Sequence, residues 1–414
     1  MRILYVTPRF PYPPLRGDQV RAYHQVRVLS RNHSVVLVAV ADQDVPAEAR
    51  THMESLCESV ILEPLTAWRA VAGLAHLLAG DPRPVQTLLY LGAGRQTVRD
   101  LSARAGFDVI HAQLLRTAGL VPLKGRVPLV LDLVDVLSVS YTRRMATDRW
   151  WWRPALAFEA ARLARYEQTL LSGGTHCLVV SEAERRALGT WGERATVNAN
   201  GVDLAAFPFT PGRGAPSKIV FVGNLGYSPN IDGVTWFVDE VLPRIRTKLP
   251  EAQLVVVGAR PSRAVRMSAR APGVILAGTV PNVRAELTGA LVAVAPLRAG
   301  GGMQNKVLEA MAAGTPVVAT SLAVSGVAIR PGEHCLVADT AADFARHVET
   351  LLLRGDLRFR LATAARALIE ARYSWETSVA ELEAFYRAVI REPLPGIRGI
   401  THRTTEESGE AADP

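Results

Sequence analysis

Short apolar runs alternate with longer amphipathic segments along most of the chain. Twelve runs predict strands, at 2–6, 34–40, 60–62, 108–111, 128–132, 176–181, 218–223, 253–258, 274–278, 292–296, 316–320 and 335–338. Helical periodicity marks the segments between them, among them 18–30, 153–171, 230–248 with Asn230 as its N-cap, and 305–313. Uninterrupted apolar strands separated by helices are typical of parallel sheets covered on both faces. The pattern therefore predicts an α/β chain with two doubly wound, Rossmann-like domains in series.

The domain boundaries follow from the same pattern and from the proline and glycine content. Residues 1–205 are predicted to form the first domain and residues 218–372 the second, with 206–217 as the linker. The polar tail 392–414 is expected to be disordered. Because open α/β sheets bind ligands at the carboxyl ends of their strands, the cleft between the domains is the expected site.

Composition excludes several classes of protein. The chain of 414 residues carries 47 lysines and arginines against 39 acids, a net charge of +8, with no long run of like charges. No basic stripe is visible, so nucleic-acid binding is not expected. Three widely spaced cysteines and the absence of any long apolar run favour a cytoplasmic protein without a spanning helix.

The segment 295–318 carries the clearest chemical signal. A strand ends at Pro296, the three glycines Gly300–Gly302 follow, and a helix is predicted to begin at Asn305. Glycines allow a ligand to approach the backbone, and a helix N-terminus favours an anion such as phosphate. Lys306 in the first turn opposes the helix dipole unless an anion binds there. The alternative is that Lys306 is simply solvated.

Glu309 lies on the same helix, beside apolar residues that face the core. A carboxylate in such a place needs a partner. The two vicinal hydroxyls of a ribose would provide one. The alternative is a salt bridge to a neighbouring arginine such as Arg298.

These residues resemble the nucleotide-sugar site of glycosyltransferase family 4, which has the GT-B fold. The match is carried by 306–318 (KVLEAMAAGTPVV), by the turn 200–203 (NGVD), by the strand 221–223 (FVG) and by the loop 13–21 (PPLRGDQVR). The motifs 226–230 (GYSPN), 296–298 (PLR) and 305–306 (NK) are similar to those of sugar transferases associated with exosortase-linked exopolysaccharide systems. The resemblance implies an acceptor-binding first domain, a donor-binding second domain and a helix over 373–391 that crosses back.

The resemblance also implies a set of donor-binding residues. That set is Gly17, Gly223, Asn224, Arg298, Gly301, Gly302, Met303, Asn305, Lys306, Val307 and Glu309. The sequence departs from the family in two respects. Gly301 stands eight residues before Glu309, where many members have an acid that contacts the donor sugar. Asn224 and Tyr227 also replace a common arginine and lysine. Neutralising a diphosphate therefore falls mainly to Lys306.

Several residues of the first domain are candidates for the acceptor side. His111 and Asp135 stand at the ends of apolar strands and are the expected catalytic partners of Lys306, with Asp135 as the base. Asp132 and Arg21 are candidates for binding the acceptor, and Gly17 for close approach to the donor phosphates. The alternatives are an ordinary hydrogen-bonded histidine at a strand end for His111, a helix- or loop-capping role for Asp135 and a surface arginine for Arg21. Ser181 is expected to cap the helix after it.

Three consecutive tryptophans, Trp150, Trp151 and Trp152, lie between Arg149 and Arg153. They cannot all face one core, and tryptophan interleaved with arginine suits a membrane interface. A lipid-linked acceptor at the inner face of the membrane would explain them. The alternative is a loop packed against residues 66–80.

The sequence therefore predicts a glycosyltransferase that uses a nucleotide-diphospho-sugar and a glycan, lipid-linked or small-molecule acceptor. The resemblance implies retention of anomeric configuration and no cofactor or obligatory metal. The alternative is a non-catalytic GT-B protein that binds nucleotide sugar. A dinucleotide-dependent oxidoreductase is excluded, because no GxGxxG follows the first strand.

Overall fold

A computed structural model of the chain describes residues 1–41, 44–104, 106–123, 125–147, 150–212 and 214–391. The tail expected to be disordered, 392–414, lies outside the described residues. Within them the chain forms two wholly parallel sheets, of seven and six strands, each covered by helices. The predicted α/β class with two doubly wound sheets is confirmed.

The first sheet belongs to the amino-terminal half, called the N-domain below. Its strand order is β3-β2-β1-β4-β5-β6-β7. The strands are β1 Arg2–Thr7, β2 Ser34–Ala41, β3 Ser59–Pro64, β4 Val109–Gln113, β5 Leu129–Val134, β6 His176–Val179 and β7 Ala195–Val197. The helices are α1 Gly17–Leu29, α2 Ala47–Glu54, α3 Ala67–Leu78, α4 Val85–Tyr90, α5 Arg95–Ala103, α6 Leu137–Thr147, α7 Arg153–Ser172 and α8 Glu182–Ala187. The short edge strand β7 is not among the predicted runs, because three residues give too little pattern.

The second sheet belongs to the C-domain, with the order β10-β9-β8-β11-β12-β13. Its strands are β8 Ala215–Val222, β9 Gln253–Val257, β10 Val274–Gly278, β11 Ala290–Ala295, β12 Val317–Ala319 and β13 Leu336–Val337. The helices are α9 Ser228–Trp236, α10 Leu242–Lys248, α11 Arg263–Ser268, α12 Val283–Thr288, α13 Asn305–Ala313, α14 Ser321–Val324, α15 Ala341–Leu353 and α16 Gly355–Arg372. Gly314 ends α13 at φ +85°, the left-handed conformation that glycine adopts without strain.

A last helix, α17 Trp375–Arg391, packs on α1 of the N-domain. The ring of Trp375 stacks on that of His24 at 5.0 Å, and the hydroxyl of Tyr386 shares a hydrogen bond with Nδ1 of His111 at 2.7 Å. The helix α17 is thereby fastened to the N-domain, although it follows the C-domain in sequence.

The prediction that Asn230 caps a helix is wrong. The helix begins two residues earlier, at Ser228, with Pro229 in its first turn, where proline costs no hydrogen bond. Asn230 thus lies inside α9 and its buried amide is available for another contact.

The carboxyl ends of both sheets face one cleft, where two cavities lie between the domains. A cavity of about 220 Å³ is lined by the loops after β1 and β2 and by Asn224 and Arg260 of the C-domain. A cavity of about 530 Å³ lies beyond β6 and β7, against Met303 and Gly326. In the first sheet β5 stands between the pair β1 and β2, next to the smaller cavity, and the pair β6 and β7, next to the larger one. The residues after β5 therefore occupy the middle of the cleft.

Candidate functional site

The loop Gly300–Gly302, called the glycine loop below, joins β11 to α13 and faces the N-domain. Gly300 and Gly302 have φ of +105° and +70°, which side-chain-bearing residues adopt only with strain. Among the described residues no side chain caps the start of α13. The first amide that bonds within this turn belongs to Val307, which donates to the carbonyl of Gln304 at 2.9 Å. The helix therefore presents its positive end and its earlier N–H groups to the cleft.

Lys306 lies half-buried in the first turn of α13. Its Nζ donates to Oδ1 of Asn230 at 2.6 Å and stands 4.6 Å from the centre of the Phe221 ring. Burial lowers the pKa of Lys306 to about 7, against a smaller opposing effect of Glu309. An ammonium group held in this way is short of counter-charge, so an anion would bind it favourably.

Gly223 makes the position of Lys306 possible. A Cβ at Gly223 would lie 2.9 Å from Nδ2 of Asn230 and 3.0 Å from Nζ of Lys306. The same Nδ2 donates to the carbonyl of Asn224 at 2.9 Å, which fixes the amide so that its oxygen faces the lysine. Asn230 was not predicted to belong to the site, because its role depends on residues distant in sequence.

Glu309 follows one turn after Lys306 and is also half-buried. Burial raises the pKa of its carboxyl to about 7, and Lys306 acts in the opposite sense. No described residue donates a hydrogen bond to it or forms an ion pair with it. The alternative partner Arg298 is bound elsewhere. Its guanidinium pairs with Asp232 at 2.6 Å and lies over the Trp236 ring, so the expectation that Arg298 binds the donor is not supported.

Asp135 follows β5 and meets the glycine loop from the opposite domain. A Cβ at Gly302 would overlap its carboxylate, so only glycine allows this approach. Burial, and then the neighbouring Glu184, raise the pKa of Asp135 to about 7. A carboxyl that titrates near neutrality in a cleft is suited to accept a proton.

Two further side chains of the N-domain bind the glycine loop. The carboxylate of Glu184 accepts from Gly302 N–H at 3.0 Å and from Val136 N–H at 2.6 Å. Nη1 of Arg143 donates to the carbonyl of Gly300 at 3.0 Å. Sequence reasoning did not identify these contacts. Its only related prediction was Ser181 as a cap, which is confirmed, since its hydroxyl accepts from Glu184 N–H.

Arg21, Asp132 and His111 are fully buried, and this geometry gives no support to the predictions that Arg21 and Asp132 bind the acceptor and that His111 acts in catalysis. The guanidinium of Arg21 donates to Asp132 at 2.6 Å, to Asn200 at 2.9 Å and to Asn198 at 2.9 Å. His111 stacks on Tyr5 at 4.4 Å, and burial lowers its pKa to about 4, which keeps it neutral. These residues form a polar core that ties α1, β5 and the turn after β7 together.

The remaining predicted donor residues are Gly17, Asn224, Asn305, Met303, Val307 and Gly301. Gly17 opens α1 and is exposed, Asn224 lines the smaller cavity, and Asn305 accepts from the Asn200 amide at 3.0 Å. Met303 and Val307, by contrast, have buried side chains that belong to the apolar core, and Met303 also borders the larger cavity. Gly301 lies on the glycine loop beside Arg143 and Glu184.

The three tryptophans form a short helical turn before α7 and remain largely exposed. Trp150, Trp151 and Trp152 have 72%, 52% and 57% of their surface accessible. Phe158 on α7 and Leu78 at the end of α3 are also exposed. Arg162, also on α7, has its guanidinium 5.3 Å from the Phe158 ring and donates to the Arg83 carbonyl at 3.1 Å, in the segment between α3 and α4. Among the described residues no helix combines the length and hydropathy needed to cross a membrane.

Comparisons with known proteins agree with this architecture. Residues 16–206 match the family model described as Glycosyltransferase Family 4, and residues 216–354 match that described as Glycosyl transferases group 1. An uncharacterised 44.6 kDa protein in the cps region of Klebsiella pneumoniae is 26% identical over 84% of this chain and 90% of its own. Phosphatidyl-myo-inositol mannosyltransferase of Mycobacterium leprae is 28% identical over 51% of this chain and 59% of its own.

Two solved structures share the fold. Sucrose-phosphate synthase of Thermosynechococcus elongatus superposes with a TM-score of 0.71 and 15% identity, covering 94% of this chain and all of the other. Anabaena HepE in complex with UDP and glucose gives a TM-score of 0.62 and 13% identity over the same shares.

Proposed function

Because the chain is a family 4 glycosyltransferase of the GT-B fold, we propose that its cleft transfers a sugar from a nucleotide-diphospho-sugar to an acceptor hydroxyl, with retention of configuration. One observation carries the proposal: Asp135 of the N-domain lies directly against the glycine loop, beside the uncapped start of α13. A base and an anion site from different domains thus meet in the middle of the cleft.

In this proposal the start of α13 binds the diphosphate. Its N–H groups and the Lys306 ammonium supply positive charge in a half-buried place, where such charge acts more strongly than in water. The Glu309 carboxylate, which has no partner among the described residues, binds the ribose hydroxyls. Gly17 and Gly223 provide room for the donor, and no metal ion or other cofactor is assigned a role.

The proposed reaction exchanges one bond for another. The acceptor oxygen bonds to the anomeric carbon while the bond from that carbon to the diphosphate oxygen breaks and its electron pair stays on the diphosphate. The acceptor proton passes to the Asp135 carboxylate. Charge that develops on the leaving diphosphate is stabilised by donors already in place, which is the electrostatic contribution to catalysis.

Retention is supported by the position of the proposed base. Asp135 touches Gly302 itself, on the loop that leads into the anion site. A hydroxyl that is bound by Asp135 therefore approaches from the side on which the diphosphate leaves. Attack from that side retains the configuration.

The acceptor is proposed to be lipid-linked and presented at a membrane surface. The helix α6 begins two residues after Asp135 and is followed along the chain by the three exposed tryptophans, an apolar surface next to Arg153. Such a surface suits an anionic bilayer. The protein would then be a peripheral protein of the inner membrane face.

We also propose that the protein acts in polysaccharide or glycoconjugate synthesis and that it belongs to the exosortase-associated branch of the family. The relative from a cps region supports the polysaccharide context. Two contacts support the branch, because they join its separate motifs in space: Lys306 with Asn230, and Arg298 with the Asp232 that follows the 226–230 motif.

Release of nucleoside diphosphate tests the function. The protein is incubated with UDP-, GDP- and ADP-sugars, with and without polyprenyl-linked acceptors, and the anomeric configuration of any product is determined by NMR. We expect one donor to be consumed in an acceptor-dependent way, and a Glu309→Ala variant to lose that response. No release from any donor would refute catalysis and favour a protein that only binds nucleotide sugar.

A further inference from the structure

Glu184 is a carboxylate of the N-domain that bonds to the backbone of the C-domain. It lies in the first turn of α8 and is almost completely buried. One of its oxygens accepts from Val136 N–H at 2.6 Å within its own domain, and the other accepts from Gly302 N–H at 3.0 Å across the cleft. A buried acid with one oxygen committed to the opposite domain is placed to respond to whatever enters between them.

The position of that second oxygen is informative. A Cβ at Gly301 would stand 3.3 Å from Oε1 of Glu184 and 3.1 Å from Nη1 of Arg143. A side chain at position 301 would thus begin in close contact with the Glu184 carboxylate and the Arg143 guanidinium. Gly301 itself contributes no chemical group there.

The two hydrogen bonds of Glu184 stabilise this arrangement, whereas its charge opposes that of a neighbouring acid. Glu184 and Asp135 place two acids side by side, and Glu184 is one cause of the raised pKa of Asp135. Like charges in a buried place are unfavourable unless another group uses them. A sugar offers several hydroxyl donors, and hydrogen bonds to a carboxylate are about twice as strong as those between neutral groups.

Resting on the proposed function, we propose that Glu184 binds a hydroxyl of the transferred sugar and determines which donor sugar is accepted. With the diphosphate at the start of α13, the attached sugar lies next to the glycine loop. Oε1 of Glu184 then exchanges the Gly302 N–H for a sugar hydroxyl, while Oε2 remains on Val136 N–H. The Gly302 N–H becomes available to the donor in the same step.

This assignment makes Glu184 the counterpart, from the opposite domain, of a side chain that position 301 lacks. It predicts that a glutamate introduced at position 301 can replace the carboxylate of Glu184. Gly301 is not held at a positive φ, so a glutamate fits there once the Glu184 side chain is removed. The neighbouring Arg143 remains to orient it.

The test compares ligands with and without the sugar. Affinities for UDP, GDP and ADP, and for UDP-glucose, GDP-mannose and ADP-glucose, are measured by calorimetry on the full chain. The proteins are wild type, Glu184→Gln, Glu184→Ala, the double variant Glu184→Ala/Gly301→Glu, and the control Glu182→Gln. Glu182 is exposed on the same helix and pairs with Arg185. Thermal unfolding verifies that each variant is folded.

We expect Glu184→Gln and Glu184→Ala to bind the nucleoside diphosphate within about twofold of wild type. Their affinity for the accepted nucleotide sugar should fall at least tenfold, and kcat/KM about a hundredfold. The double variant should recover at least tenfold of that loss, and Glu182→Gln should match wild type.

The inference would be overturned if the Glu184 variants lost affinity equally for nucleoside diphosphate and nucleotide sugar, or lost none for either. A double variant no better than Glu184→Ala would overturn it too, and in each case the wild-type protein would still turn over its donor. A wild-type protein that turns over no nucleotide sugar would overturn the proposed function itself.

Discussion

Lys306→Met should make the free protein more stable and at the same time prevent nucleotide binding. Methionine keeps an unbranched apolar chain over the Phe221 ring and removes the charge. The pKa of Lys306 falls from 10.5 to about 7 because the ammonium is desolvated. At about 1.36 kcal/mol for each factor of ten, this cost is at most on the order of 5 kcal/mol. Partial solvent access and the lost hydrogen bond to Asn230 reduce the expected net gain to about 1 kcal/mol.

The sign of the effect depends on pH. A cation whose pKa is lowered by folding destabilises the folded state fully below about pH 7, and the cost disappears as pH rises towards 10.5, where the unfolded chain also loses its proton. Stability is best measured at pH 6, because Glu309, whose pKa is raised to about 7, is then mostly protonated and does not need the lysine. A gain of about 1 kcal/mol corresponds to roughly 2–4 °C in the unfolding temperature of a domain of this size.

Nucleotide binding should change in the opposite direction. Losing a charged partner of a buried phosphate costs about 2–4 kcal/mol, or roughly 30- to 700-fold in affinity. Nucleoside diphosphate at a hundred times its dissociation constant stabilises the wild-type protein by about 2.7 kcal/mol, but a variant that binds a hundredfold more weakly by only ~0.4 kcal/mol.

Differential scanning fluorimetry with UDP, GDP and ADP measures both effects. Lys248→Met is the matched control, because Lys248 is exposed and pairs with Glu349 far from the cleft. An unfolding temperature below that of wild type at pH 6, together with an unchanged response to nucleotide, would refute the argument.

Four further predictions follow from the same geometry. Asp135→Asn should lower kcat by about 10²- to 10⁴-fold with little change in donor affinity, and an equal loss of binding would count against its role as base. In the wild type, kcat should rise with pH through about 7 as Asp135 loses its proton, and this rise should be absent in Asp135→Asn. Arg21→Met should lower the free energy of unfolding by about 3–5 kcal/mol, because it leaves Asp132 buried without its partner. Urea unfolding measures this loss, and a variant of unchanged stability with only a weakened acceptor KM would contradict it. Replacing Trp150, Trp151 and Trp152 by serine should abolish co-sedimentation with phosphatidylglycerol vesicles while leaving thermal stability unchanged, and retained binding would refute the membrane contact.

The strand, loop and helix of the proposed anion site were largely predictable because its residues are neighbours in sequence. Gly300–Gly302, Lys306 and Glu309 lie within ten residues, and strand, loop and helix follow one another in a pattern that sequence alone displays. Neighbouring residues suffice to form such a site, because the glycines and the start of the helix contribute backbone groups to it. The two parallel sheets were predictable for a similar reason, because continuous apolar runs separated by helices permit few arrangements.

The opposite side of the cleft was decided by tertiary structure alone. Asp132 and Asp135 are three residues apart, yet Asp132 is buried on Arg21 while Asp135 reaches Gly302. The contacts of Glu184 with Gly302 and of Asn230 with Lys306 join residues 118 and 76 positions apart. Burial and charge at such positions depend on which distant segment lies opposite, and no local pattern contains that information. The sequence by itself therefore determined the fold class and the place of the proposed anion site, whereas the packing of one domain against the other decided which carboxylates face it.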